Sequence, residues 1–424
     1  MLLLARRWLG AYISLESVGC LWHRSVASLN YLEGCSANER AGAGEALSGW
    51  NAAVCKGIVV YDNVFGDKRG AEEKDKRVLE GERPKVPDFV IDYAPYVYLY
   101  SEEIFLPGDI GEHLFHTIPY LNYSPIASSN SHQTLTDLNT LNQYGLNVYL
   151  TSEDDPSDPP EWLRGDHNKP IAADSPGLGL STAPGIVIWV SKPGGIIDAF
   201  YFYFYSFNLG NTVGGVRFGN HVGDWEHTAV RFINGKPQSV FFSQHSIGAA
   251  YQYAVVEKIG VRPVTYSARG THANYPTPGE HFYALPFHLL SDVTDNGTLW
   301  DVTMNAYIYE WDMTADVLTA SVETPGAPTE WFDYGGKWGD RRYPLFDPRQ
   351  YMVVGQYHWV DGPTGPKSKN LNRKDICQNP GTCIVRSNLA TSLEIKEWDT
   401  EEVQWPDQNG GVEIDTNDDI APDL

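Results

Sequence analysis

The chain has 424 residues, enough for one large domain or two ordinary ones, and 42% of them are hydrophobic, enough for a substantial core. Its formal net charge of −23 repels phosphate backbones, which argues against nucleic acid as a partner and disfavours anionic membrane surfaces for the same reason. The 25 Tyr, 13 Trp and 16 Phe residues, with 40 Gly and 27 Pro, favour strands and turns over helix bundles. We therefore expect a mainly β fold.

The first segment, residues 1–85, is predicted to be poorly ordered or to serve in targeting. Met1 to Leu15 is apolar with Arg6 and Arg7, which resembles a signal peptide weakly because the apolar run is short and Glu16 follows it. The stretch from Asp67 to Lys85 is dense in charge and lacks a hydrophobic period. No run reaches the roughly 20 apolar residues that a membrane-spanning helix needs.

A single large β-rich domain is predicted over residues 86–395, built of sandwich or prism-like sheets with long loops and few short helices. We expect strands at Val90–Tyr100, Ile186–Val190 and Phe200–Phe207, the last an aromatic run assigned to the core. Asp109 is expected to cap a short helix, and Asp154–Asn168 to form a long surface loop. Trp338 is expected on a loop, and residues 396–424 form an acidic tail.

The five cysteines lie only near the two ends of the chain. Cys20, Cys35 and Cys55 precede the domain, so its central part offers no thiol nucleophile. Cys377 and Cys383 flank a turn-forming stretch, and we expect a small disulfide loop there if the compartment is oxidising.

The strongest local signal is the pair Asn234-Gly235, which predicts a tight β-hairpin because both residues tolerate the positive φ of a type I′ turn. A two-residue loop fixes the register, so Ile233 should face Lys236 and Asp224 should face His245. The same register pairs Arg231 with Gln238 and His227 with Phe242.

Side chains alternate along a strand, so this register places Asp224, Glu226 and His245 on one face and His227 on the other. A bulge at Pro237 or Gly223 would break the register. Polar loops that follow contribute further candidates: His272, His281, Asp292, Asp295 and Asp301.

Three interpretations compete for this cluster. Asp224, Glu226, His245 and His272 are suitable ligands for a divalent metal such as zinc, iron or manganese, although no fixed ligand spacing is present. The same four residues could perform acid–base catalysis without a metal. The third interpretation is structural, in which these side chains connect long loops through hydrogen bonds.

The string Asn220-His-Val-Gly-Asp-Trp-Glu-His227 is unusual in composition. With Ser243-Gln-His245, Gly270-Thr-His-Ala-Asn-Tyr275 and the segment Asp292–Asp301, it resembles the vacuolar protein sorting-associated protein 62 family, over about residues 94–309. That family includes fungal proteins and plant proteins with a domain of unknown function. The resemblance implies an association with delivery to the vacuole, and no defined reaction.

The leading hypothesis is a vacuolar-sorting protein of the fungal endomembrane system without an assignable reaction, whose partner is a protein cargo or a small molecule. The resemblance implies the vacuole or secretory route, whereas a first segment that is not a signal would imply the cytoplasm. The alternative is an enzyme, either a tailoring enzyme of secondary metabolism or a metal-dependent hydrolase, that uses Asp224, Glu226, His245 and His272. Carbohydrate or lipid binding by exposed aromatic residues is a third hypothesis.

Overall fold

The computed structural model describes residues 23–24, 27–28, 83–126, 132–172, 177–282 and 291–389. It divides the chain into two units, Met1–Glu82 and Arg83–Leu424. In the first unit the described residues are two short antiparallel strands, His23–Arg24 and Ala27–Ser28. The predictions for residues 1–85 and for the acidic tail 396–424 otherwise lie almost entirely outside the described residues.

Strands dominate the described part of the chain. In order they are β1 (His23–Arg24), β2 (Ala27–Ser28), β3 (Tyr96–Tyr98), β4 (Thr117–Leu121), β5 (Ser124–Pro125), β6 (Tyr149–Ser152), β7 (Gly185–Lys192), β8 (Ile196–Asn208), β9 (Thr212–Val213), β10 (Val216–Arg217), β11 (His221–Ile233) and β12 (Lys236–Gln244). They continue with β13 (Ile247–Gln252), β14 (Lys258–Ile259), β15 (Arg262–Ser267), β16 (Asn274–Tyr275), β17 (Gly279–Phe282), β18 (Ser291–Thr294), β19 (Leu299–Asp301), β20 (Ala306–Asp312), β21 (Val317–Ala320), β22 (Met352–Val353), β23 (Gln356–Tyr357) and β24 (Val385–Arg386).

The described helices are short. They are α1 (Asp88–Asp92), α2 (Ile110–Phe115) and α3 (Glu161–Arg164), with 3-10 helices at Leu138–Tyr144, Asp166–Asn168, Glu330–Asp333 and Pro366–Lys369. The Asp109 carboxylate accepts hydrogen bonds from the amides of Gly111 and Glu112, as expected of a helix cap. No described helix has both the length and the apolar character to cross a membrane. The predicted mainly β class, with several sheets and few short helices, is confirmed.

The largest sheet has eight strands in the order β21-β20-β7-β8-β11-β12-β13-β24. Its central strand β8 contains the aromatic run, and the residues alternate between the two faces. Phe200, Phe202 and Phe204 pack in one core cluster, whereas Tyr201, Tyr203 and Tyr205 pack in another. Because both faces of this strand are buried, the run belongs to the core, as predicted.

Two layers cover the large sheet. The tyrosine face packs against the sheet β14-β15-β3-β19, which contributes Val97 and Trp300 to the shared core. The phenylalanine face packs against Ile110 and Leu114 of α2 and against a group of buried tryptophans from later loops, including Trp331 and Trp338. The sheet-on-sheet packing is that of a sandwich, with a third layer of loops and short helices.

The hairpin forms at Asn234-Gly235, and Ile233 faces Lys236 as predicted. Phe232 faces Pro237, as the same register requires. The register then shifts by one residue, so Arg231 faces Ser239 instead of Gln238, and Thr228 instead of His227 faces Phe242. The bulge lies beside Pro237, a residue with no amide proton to donate to the neighbouring strand.

Two local predictions also fail. The stretch Val90–Tyr100 is not one strand, since α1 precedes the short strand β3. The stretch Asp154–Asn168 is not a simple surface loop, because α3 buries Trp162 and Leu163 within it. In both cases tertiary packing overrides the local composition. Trp338 lies on a loop, as predicted, and it is fully buried although its neighbours are Gly, Lys and Asp.

Cys377 and Cys383 form the predicted disulfide, which closes a loop next to the large sheet. Residues Cys377 and Cys383 pack against the same core as the phenylalanine face of that sheet. The loop is therefore part of the folded domain.

We predict that Gly223→Ala destabilises the domain more than Gly219→Ala. Both glycines have positive φ, 69° and 86°, but a β-carbon at Gly223 would collide with the carbonyl of Trp338, whereas at Gly219 it would meet open space. In the control, Gly219→Ala, the left-handed backbone should lower the free energy of unfolding by about 1–2 kcal/mol. In Gly223→Ala, overpacking should lower it by about 1–3 kcal/mol more. Chemical denaturation would measure both free energies of unfolding, and equal losses would contradict the prediction.

Candidate functional site

The candidate site begins at the first half of β11, where the strand extends past the end of β12. Asp224 pairs with Tyr205 and Glu226 pairs with Tyr203 across the β8–β11 ladder. Both carboxylates therefore lie on the tyrosine face of the sheet, and Trp225 points to the opposite face. Asp224 and Glu226 are both buried, so each requires a compensating partner.

His272 is the partner of Asp224. Its Nδ1 lies 2.9 Å from the Asp224 carboxylate, and its Nε2 lies 3.1 Å from the carbonyl oxygen of Phe105. Both neighbours are acceptors, so a fully paired ring carries two protons. Burial opposes this charge, but the hydrogen bond that the ring donates to Asp224 and the nearby charge of Glu103 raise the pKa of His272 above its usual value.

The His272 ring is also held from its face. Tyr205 stacks on it with the ring centres 3.7 Å apart. The side chain is buried and its backbone has a φ of +55°, within the turn that follows β15. These contacts make His272 a buried support for Asp224, and it does not lie on the surface of the cleft.

Glu226 accepts hydrogen bonds from two groups at the end of β12. One is the hydroxyl of Ser243, and the other is the backbone amide of His245, 3.1 Å from the carboxylate. Burial raises the pKa of Glu226 to about 7, against the opposing attraction of Lys369. Glu226 can therefore gain or lose a proton near neutral pH.

His245 follows the last residue of β12 and has a φ of +57°, so its backbone leaves the strand. Its Nε2 lies 2.9 Å from the carboxylate of Asp292, and 31% of its side chain is exposed. Although burial opposes the charge, Asp292, Glu226 and Asp224 raise the pKa of His245 to about 9. The ring is therefore an imidazolium at neutral pH.

Asp292 is a buried carboxylate that joins four segments of the chain. It accepts hydrogen bonds from Asn211 and Thr271 on one oxygen, and from His245 and Tyr275 on the other, at 2.8–2.9 Å. Burial works against ionisation, but the charge and hydrogen bond of His245 hold the pKa of Asp292 below its usual value. Asp292 is one of the candidates predicted from the sequence, but no local pattern indicates that its partner is His245.

Asp224, Glu226 and His245 line one open cleft of about 510 Å³. The predicted gathering of these three residues is thus observed, although the register that predicted it is wrong: the bulge moves His245 by one position and its positive φ turns it back toward Glu226. His281, Asp295 and Asp301 do not line the cleft. Within the described ranges, no three His, Cys, Asp or Glu side chains are placed to hold a metal ion.

His227 lies on the opposite face, as predicted, between the rings of Phe202 and Phe241. Its Nε2 faces the guanidinium of Arg373 at 3.1 Å, and burial holds the pKa of His227 well below its usual value. Because the guanidinium can only donate, His227 is neutral and accepts.

Arg373 fixes the far wall of the cleft. Its guanidinium donates to the carbonyl oxygens of Lys369, Asn370 and Ile376 at 3.0–3.1 Å. The guanidinium lies 4.8 Å from the Phe200 ring and 5.0 Å from the Phe241 ring, so the loop is attached to the core of the large sheet.

Sequence reasoning missed the residues that this wall and its neighbours bring to the cleft. They are His221, Lys337, Thr364, Lys369 and Gln378, which join Asp224, Glu226 and His245. Lys337 and Lys369 are more than 100 residues from Glu226 in the chain, and no local pattern links them to the hairpin. Chemically, the cleft offers cationic groups and one carboxyl group that titrates near neutral pH, while Ser243 is too buried to act as a nucleophile.

Comparison with known proteins places this site in a family context. The family model described as "Vacuolar protein sorting-associated protein 62" matches residues 167–345, a range that includes Asp224, Glu226, His245, His272 and Asp292. The Saccharomyces cerevisiae protein "Vacuolar protein sorting-associated protein 62" is 36% identical over 337 residues, covering 72% of this chain and 70% of its own length.

A second Saccharomyces cerevisiae relative, named "Putative vacuolar protein sorting-associated protein TDA6", is 39% identical over 328 residues, covering 69% of this chain and 68% of its own. Among solved structures, one match is Necrosis and Ethylene inducing Protein 2 from the causal agent of cocoa's Witches Broom disease. It is 12% identical, the alignment covers 46% of this chain and 70% of that one, and the TM-score is 0.23. Similarity at that level carries no argument about function.

We predict that Asp292→Asn lowers the pKa of His245 from about 9 toward its ordinary value of about 6.5, because the largest charge and the hydrogen bond that oppose burial are lost while the smaller effects of Glu226 and Asp224 remain. A raised pKa stabilises the fold fully below about pH 6.5, and that contribution disappears as the pH rises through about 9. The variant should lack this decline. Histidine ring titration by NMR and unfolding at several pH values would measure both effects.

Tyr275→Phe is the matched control, since it removes one hydrogen bond to Asp292 and keeps the carboxylate. The pKa of His245 should stay clearly raised in that variant. A pKa near 9 in Asp292→Asn would show that the pair does not control the charge of His245.

Proposed function

Since the chain belongs to the vacuolar protein sorting-associated protein 62 family, we propose that it takes part in the delivery of proteins to the vacuole within the fungal endomembrane system. The observation that carries this proposal is the extent of the likeness to the first yeast relative, 36% identity over 72% of the chain. The aligned length is far greater than the cleft, so the proposal depends on the whole domain and not on one motif.

Within that role the cleft is a binding site, and its occupant is a protein cargo or a small-molecule ligand. The arrangement of its acids supports this proposal over catalysis. Asp224 is paired with His272, and Glu226 is hydrogen-bonded to Ser243 and His245. A general base must reach the proton that it removes, and these carboxylates are occupied by groups of the protein itself.

A tightly bound metal ion would contradict the proposed binding role. If purified protein held one zinc, iron or manganese ion per chain, and His245→Ala abolished it, the cleft would be a metal centre. Elemental analysis of the full chain and of this variant would decide between the two.

We predict that deleting the gene causes a soluble vacuolar protein to leave the cell instead of reaching the vacuole, and that the full chain restores delivery. The measurement is the fraction of the cargo recovered in the medium and in isolated vacuoles. Normal delivery in the deleted strain would count against the proposal.

The cleft is tested in the same strain with Ser246→Trp, which places a bulky ring at an exposed position on the cleft wall without changing any charge. Ala315→Trp is the control, because Ala315 is exposed in the turn between β20 and β21, outside the cleft. We expect delivery to fail with the first variant and to remain with the second. Rescue by both would mean that sorting does not use the cleft.

A further inference from the structure

The cleft differs in charge from the rest of the protein. The chain has a formal net charge of −23, yet Lys337, Lys369 and the imidazolium of His245 all line this cleft. Within the described residues, neither lysine forms an ion pair with a carboxylate.

The nearby acids do not cancel these charges, because each one is already neutralised. Asp224 faces the doubly hydrogen-bonded ring of His272, and Asp292 receives four hydrogen bonds, including one from His245. Burial raises the pKa of Glu226 to about 7, because it outweighs the hydrogen bond from Ser243 and the charge of Lys369, which both favour the carboxylate. Since His245 is itself paired with Asp292, the charges that remain facing the cleft are the two ammonium groups of Lys337 and Lys369.

We propose that the cleft binds a small anionic ligand through carboxylate or phosphate oxygens held by Lys369, Lys337 and His245. This inference rests on the proposed role of the cleft as a binding site and names the class of its ligand. Hydrogen bonds that ammonium and imidazolium groups donate to such oxygens are charge-assisted, and they are roughly twice as strong as hydrogen bonds between neutral groups. Local potential, and not the net charge of the chain, decides which ions enter a cleft.

The dimensions agree with a small molecule. A volume of about 510 Å³ lies within the range of roughly 300–1,000 Å³ that small-molecule sites occupy. The cleft also contains the buried side-chain oxygen of Gln378, an acceptor that has no hydrogen-bond partner among the described residues. A ligand that carries a hydroxyl or amide donor beside its anionic group would satisfy that atom.

Binding should weaken as the pH rises through about 7, because Glu226 then becomes charged and repels the ligand. The groups that face Glu226 are Ser243 on β12, His245 after it, Asp224 on its own strand and Lys369 on the Pro366–Lys369 helix. Over the same interval His245 stays charged, since its pKa is about 9. The probe anions themselves gain charge over this interval, so the decline is assigned to Glu226 by comparison with Glu226→Gln, in which the anion titrates in the same way and the carboxylate is absent.

The test is calorimetric titration of the full chain with inorganic phosphate and, separately, with citrate at low salt. We expect binding of at least one of these anions at pH 6, and a loss of about tenfold in affinity in Lys369→Met, which removes one charged contact. Lys374→Met is the control, because Lys374 is exposed on the same segment and does not line the cleft. Comparison of the two anions distinguishes a phosphate ligand from a carboxylate ligand.

A second variant, Glu226→Gln, should bind the same anion with an affinity that no longer falls between pH 6 and 8. If Lys369→Met does not fold, judged by its tryptophan circular dichroism, Lys337→Met replaces it with the same expected loss. The proposal is overturned if the wild-type chain binds neither anion, or if Lys369→Met and Lys374→Met weaken binding equally. Either result would leave vacuolar delivery to be judged by gene deletion alone.

Discussion

The constraint on which the structure depends is that β8 has no solvent face. A strand of alternating Phe and Tyr in the middle of an eight-stranded sheet must be covered on both sides, and the chain supplies a second sheet on one side and helices and tryptophan-bearing loops on the other. The two faces differ because only the tyrosines carry hydroxyls. Tyr201 donates to the carbonyl oxygen of Val90, and Tyr205 lies within hydrogen-bond distance of Ser267. The hydroxyls of this face therefore attach α1, through Val90, and the second sheet, through Ser267, to the large sheet.

The candidate site grows out of the same arrangement. Asp224 and Glu226 lie where β11 extends beyond β12, on the tyrosine face, so they are ionisable groups at the border of a hydrophobic layer. A buried charge is tolerated only with a partner. Asp224 obtains one from His272, in a turn far away in the sequence, and Glu226 obtains its partners from the end of the neighbouring strand β12. His272 lies in the turn that follows β15, and Asp292, the partner of His245, lies in β18. The need for such partners explains why the long loops of this domain are rich in polar residues. The electrostatics of the cleft are thus a by-product of closing the sandwich.

The sequence was informative where structure is determined by neighbours in the chain. The Asn234-Gly235 turn, the cap at Asp109, the central strands and the Cys377–Cys383 loop depend on local chemistry, and all of them form. The predicted register of β11 and β12 is wrong from Arg231 onward, because a single bulge beside Pro237 shifts every later pair by one residue. The lysines of the cleft and the pairing of His245 with Asp292 could not be predicted, since they depend on how distant loops fold over the sheet. Asp224, Glu226 and His245 do line one cleft, as predicted, but the strand register from which that prediction was made is wrong.

Arg373 has a consequence for the thermodynamics of recognition. Its guanidinium, packed by two phenylalanine rings, is hydrogen-bonded to three carbonyl groups of the segment that bears Lys369. The backbone beneath that lysine is therefore already ordered before anything enters the cleft. Ordering a loop on association commonly consumes much of the gross interaction energy, and a preorganised wall avoids that entropic loss. A few polar contacts can then support appreciable affinity on an otherwise repulsive, acidic surface.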